Sequence, residues 1–92
     1  MKTHQIPHIA THPGEIIKDE LKARNIGQKE FARNFNINAT ILNELIKGNR
    51  SITEDIASVL ESALNIPAKF WMDFQSQYEL DSARIKEKNQ LW

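Results

Sequence analysis

Apolar residues in this chain recur at intervals of three and four, the period of amphipathic helices, with no alternating run long enough for a strand. Ile16, Ile17 and Leu21 fall on one stripe and predict a first helix from about Pro13 to Arg24. Pro13 suits its first turn, where a missing N–H costs nothing. Asn25, Ile26 and Gly27 then break the pattern, with Gly27 the expected turn residue. A second helix, about Gln28 to Phe35, buries Phe31, Ala32 and Phe35. A third follows the N-cap Asn38 and runs to about Lys47, with Leu42, Leu45 and Ile46 inward and Gly48 as a left-handed stop.

Ser51 to Glu54 has the form of a capping box, and Ile56, Val59, Leu60, Ala63 and Leu64 mark the fourth helix behind it. Pro67 opens a fifth, carrying Phe70, Trp71, Phe74, Tyr78 and Ile85 at helical spacing. The expected fold class is therefore all-α, with five helices. Residues 1–11 show no period and are expected as an N-terminal arm, residues 12–80 as the folded domain, and residues 81–92 as a polar helix end that frays.

The second and third helices are short and nearly consecutive, which is the requirement of a helix-turn-helix. Its steep crossing needs a small residue on the first helix, and Ala32 is there. Four residues on, the turn needs a backbone that tolerates positive φ, and Asn36 is the most tolerant residue after glycine. Ile37 then plugs the corner, and Leu42 and Leu45 give the second helix its buried face. Each condition is weak alone. At these offsets they reinforce one another.

A helix about 10–12 Å across fits the major groove of DNA. With Leu42, Leu45 and Ile46 inward, the third helix presents Ala39, Thr40, Asn43, Glu44 and Lys47 outward. Asn43 can pair bidentately with adenine, Thr40 can reach a base, and Ala39 can pack on a thymine methyl. Gln28 begins the second helix, where its amide can face a phosphate, and Lys29 and Asn38 complete this set. Lys47, Asn49 and Arg50 are candidates for further phosphate contacts.

Charge changes the picture only when it is placed along the chain. The net charge of the 92 residues is zero, yet residues 1–50 hold eight bases against five acids (+3), and residues 51–92 four against seven (−3). Such asymmetry suits one face to phosphate and another to a different partner, although a plainly solvated surface also accounts for it. Glu54, Asp55, Glu61, Asp73, Glu79 and Asp81 are either that solvated face or a surface for a basic protein.

The chain has no cysteine, which excludes disulfides and thiolate metal sites. A cytoplasmic location is the plain reading of that absence, and with no apolar run of roughly 20 residues no membrane span is expected. No phosphate loop or nucleophile motif is present, and neither an enzyme nor a cofactor is expected. His4, His8 and His12 recur every four residues, but Pro7 interrupts them, and an arm is the expected reading rather than a metal site.

Three stretches carry a family resemblance: HPGEIIKDEL (residues 12–21), GQKEFARNFNINATILNELIKGNRSIT (27–53) and ALNIPAKFWMDFQSQYEL (63–80). Together they resemble HigA-type antitoxins, part of the helix-turn-helix repressors that include the λ-like repressors. The resemblance implies a λ repressor-like domain that dimerises and binds double-stranded DNA at an inverted repeat, repressing its own operon. It also implies a RelE-like, mRNA-cleaving toxin as protein partner. The sequence departs from the family's usual choices at Asn36, in place of a turn glycine, and at Ile66, in place of a capping Ser or Thr before Pro67. Glu44 and Ile41 depart at and beside the groove face.

The aromatic stripe Phe70, Trp71, Phe74 and Tyr78 is expected as core, as core plus homodimer seam, or as a ligand pocket. Two other functions stay open: a solitary regulator with no toxin, and a protein-binding module that has lost DNA binding. A small basic neighbour in the operon, and a gel shift on upstream DNA, separate them.

Overall fold

The structure is a computed structural model that describes residues 10–90. Most of the N-terminal arm, including His4 and His8, and the last two residues lie outside the described residues. Within them are five helices: α1 (Pro13–Ala23), α2 (Gln28–Asn34), α3 (Ala39–Ile46), α4 (Glu54–Leu64) and α5 (Ala68–Gln90). Each lies within a residue or two of its predicted span, and α5 continues as helix through the polar segment 81–90.

The apolar stripes converge on one core. Ile17 and Leu21 of α1 meet Phe31 and Ala32 of α2, Leu42 and Leu45 of α3, Ala57, Leu60 and Leu64 of α4, and Trp71 of α5. Each large side chain removed from water in this way contributes on the order of 1.5–3 kcal/mol. α3 is held from two sides, by α1 and by α2, while α5 packs on α4 and α1.

Three helices end alike. After α1, α2 and α3 a left-handed residue (Asn25, φ 57°; Asn36, φ 54°; Gly48, φ 80°) reverses the chain. The next N–H then returns to a carbonyl of the last turn: Ile26 to Leu21 at 2.9 Å, Ile37 to Ala32 at 2.8 Å, and Asn49 to Glu44 at 2.8 Å. This is the Schellman arrangement, which satisfies carbonyls that a helix end leaves open. Asn36 fills the turn position as predicted. Gly27 does not: its φ is −72°, it is the N-cap of α2, and Asn25 makes the turn instead.

Other expectations are also corrected. The cap of α4 is Thr53, whose hydroxyl accepts the Ile56 N–H at 3.4 Å, and not Ser51. Oε1 of Gln75, a buried polar residue on α5, accepts the Ile52 N–H at 2.9 Å and ties the segment before α4 to that helix. Of the aromatic stripe, Trp71 is fully buried and donates its indole N–H to the Ile66 carbonyl at 3.1 Å. Phe74 and Tyr78 are half-buried. Phe70 is 40% exposed and is not core, because neighbouring residues on a helix point about 100° apart and Trp71 holds the inward place.

Candidate nucleic-acid interface

The start of α1 shows how the interface is positioned. His12 is buried and caps the helix: its Nδ1 accepts the Gly14 N–H at 2.9 Å. Only glycine fits at position 14, since a Cβ there would stand 1.8 Å from the Leu45 carbonyl oxygen near the end of α3. The backbones of α1 and α3 therefore touch. Burial lowers the His12 pKa below its ordinary 6.5; the Arg50 carbonyl, which accepts from the ring, and the Glu15 carboxylate oppose that shift. A neutral ring suits the task, because an imidazolium has no lone pair for the cap. His12 is thus tied to both α1 and the segment after α3, a role its place in a histidine repeat did not suggest.

The turn into α3 is fastened by Asn38, whose Oδ1 accepts the N–H groups of Thr40 (2.9 Å) and Ile41 (3.1 Å). Ala39, Thr40 and Lys47 are exposed, and Asn43 and Glu44 are half-buried. Gln28, at the head of α2, donates its amide N–H to Oδ1 of Asn43 at 3.2 Å. Around this pair lies an open depression of about 270 Å³ lined by Gln28, Lys29, Ala39, Thr40 and Asn43. Five of the predicted groove-facing and phosphate-facing residues are therefore neighbours in space. The bond to Gln28 turns the Asn43 amide so that its N–H₂ is left to donate.

Glu44 and Arg50 form an ion pair that sequence reasoning treated as two separate residues. Oε1 of Glu44 accepts a hydrogen bond from Nε of Arg50 at 2.8 Å and stands 2.7 Å from its Nη2. The Asn49 N–H, returned to the Glu44 carbonyl, brings the chain back along the last turn and makes that reach possible. Ile41, expected to flank the groove face, is half-buried and turned toward α4. With Ile37, Ile56 and Val59 it lines an apolar depression of about 170 Å³.

Several C-terminal acids are engaged locally. Asp73 pairs with Lys69 at 2.6 Å, Glu79 accepts from Gln75 at 3.0 Å, and Asp81 accepts from Gln77 at 2.9 Å. Among the described residues no group of three or more His, Cys, Asp or Glu is placed to hold a metal. No described helix is long and apolar enough to cross a membrane.

This geometry has known counterparts. The helix-turn-helix family matches residues 17–71. Among curated proteins, virulence-associated protein I of Dichelobacter nodosus is 32% identical over 75 residues, which cover 80% of this chain and 69% of that protein. Among solved structures, the Pseudomonas aeruginosa antitoxin HigA with the higBA promoter superposes with a TM-score of 0.80 at 33% identity, covering 90% of this chain and 91% of the other. A further solved structure from Pseudomonas aeruginosa, a complex of a protein with its 18-bp operator DNA, gives 0.77 at 36% identity over 82% of each chain. The helix-turn-helix antitoxins and DNA-binding regulators are not enzymes. The chain belongs to the helix-turn-helix family, within it to the HigA type.

Proposed function

We propose that this protein is the antitoxin of a two-gene operon, binding operator DNA as a dimer to repress its own transcription and neutralising a RelE-like toxin. The observation that carries the DNA part is the Gln28–Asn43 amide pair, open to solvent beside exposed Thr40, Lys29 and Ala39. In this reading α3 enters the major groove, Asn43 and Thr40 read bases, and Lys29, Lys47 and Asn49 meet phosphates. Gln28 holds the Asn43 amide in register, and Asn38 fixes the start of the reading helix. Two copies place their α3 helices about 34 Å apart on an inverted repeat.

The dimer seam in this reading is α5, where Phe70 at 40% exposure and half-buried Phe74 stack 5.8 Å apart on the surface. The acids of α4 and α5 meet the toxin's basic surface. Glu44 and the zero net charge favour the alternative of a module that has lost DNA binding, and the Arg50 partner offsets the Glu44 charge.

Two experiments test the proposal. A gel shift with the chain's own upstream DNA should show sequence-selective retention at about 0.15 M salt, with a steep loss as salt rises. Retention only at low salt, without sequence preference, defeats the DNA reading. If a small basic protein is encoded beside this one, co-expression of the two should yield a stable complex; the absence of such a neighbour or complex leaves a solitary regulator.

A further inference from the structure

The Glu44–Arg50 pair is arranged in a way that simple charge cancellation does not require. Both guanidinium nitrogens converge on Oε1, at 2.8 and 2.7 Å, so the fork occupies one oxygen of the carboxylate. Oε2 has no hydrogen-bond partner among the described residues. Glu44 lies one turn beyond Thr40 and three residues before Lys47, on the exposed side of α3, with its side chain 38% accessible. At that exposure the pair adds little stability. Its effect is to fix the carboxylate and lower the repulsion it would exert on a phosphate-lined groove.

What remains is an oriented acceptor with no proton to donate. In the major groove, guanine and thymine oppose it with acceptors of their own, and adenine sets N7 beside its amino group. Cytosine offers N4–H₂ with only C5–H beside it on the base. We propose that Glu44 is a specificity-determining residue, its Oε2 accepting a hydrogen bond from the cytosine amino group in each half-site while Arg50 holds it in place. Arg50 is then a positioning residue that acts through Glu44 rather than through a phosphate. The inference rests on the DNA-binding reading above.

Selection from a pool of randomised duplexes, run on the full chain and on Glu44→Ala, Glu44→Gln and Arg50→Ala, tests it. The unchanged protein should enrich an inverted repeat with cytosine at one position of each half-site. Glu44→Ala should lose that preference, by on the order of tenfold in the affinity ratio of C·G over T·A, with the other positions intact. Glu44→Gln should move the preference toward adenine, whose N6 and N7 a carboxamide pairs with, an effect that removal of charge alone does not produce. Arg50→Ala should weaken the cytosine preference without erasing the rest of the motif. A Glu44→Ala motif identical to the unchanged one overturns the assignment of Glu44. An unweakened cytosine preference in Arg50→Ala overturns the positioning role. If the unchanged protein enriches nothing, the DNA reading itself fails and this inference falls with it.

Discussion

The Tyr78 ring of α5 meets the His12 ring edge-on, with centroids 4.7 Å apart and planes inclined at 74°. The longest helix is thereby keyed to the cap of the first, at the point where the Arg50 segment also arrives. Because burial lowers the His12 pKa, the folded protein resists the proton more than the unfolded chain does. The stabilisation is complete above the unfolded value of about 6.5 and is lost as pH falls from there through the lower folded value. Unfolding curves for the unchanged protein and His12→Asn, compared between pH 7.5 and 5, should converge on the acid side, since asparagine caps without titrating. Parallel curves would remove His12 from this role.

Gly14→Ala tests the contact between α1 and α3. A Cβ 1.8 Å from the Leu45 carbonyl cannot be accommodated by a side-chain rotation, because the obstacle is backbone. The helices must separate, at about 1–3 kcal/mol or more. Urea denaturation should show that loss, and operator affinity should fall with it because α3 moves. Stability equal to the unchanged protein would mean the two backbones are not in contact.

Local rules made most of the architecture legible. Ile17, Leu21, Leu42, Leu45, Leu60 and Leu64 are buried where the helical period placed them, and Asn36 turns where the helix-turn-helix required it. Long-range pairings were not legible. Gln75 takes the Ile52 N–H from 23 residues away, a bond that helical spacing does not announce. Arg50 reaches Glu44 only because the Asn49 N–H turns the chain back. For the same reason His12 looked like part of a repeat until Tyr78 and Gly14 were beside it. Alternating polar and apolar spacing reports which face is inward, not which polar group finds which partner.

Asn36 sits at φ 54°, where a Cβ costs an ordinary L-residue on the order of 1–2 kcal/mol and asparagine less. Asn36→Ala should therefore destabilise by about 1 kcal/mol, and Asn36→Gly should be neutral or slightly stabilising. Thermal unfolding of the two variants gives the comparison. Equal losses in both would assign the effect to the asparagine side chain rather than to the backbone.

Phe70 is exposed beside Phe74 and outside the core, and in the proposed dimer it lies in the seam. Phe70→Ser should leave the monomer's circular dichroism unchanged and shift sedimentation from dimer toward monomer. Operator binding should then weaken strongly, because two half-sites bound by one linked pair become two separate events. Should the variant sediment as the unchanged protein does, the seam lies elsewhere.

Asn43→Ala separates base reading from backbone contact. If Asn43 pairs with adenine, its loss costs about 1–3 kcal/mol on the preferred site and relaxes the preference at one position of each half-site. Gln28→Ala should have a smaller effect at that same position, since Gln28 donates to Asn43 Oδ1 and acts by orienting the amide. Lys47→Ala, by contrast, should weaken all sequences alike and flatten the salt dependence by about one power per half-site. Anisotropy titrations on the preferred duplex and its single-base variants resolve the three. A uniform loss for Asn43→Ala would place that side chain on the sugar-phosphate backbone and leave Thr40 and Glu44 as the readers.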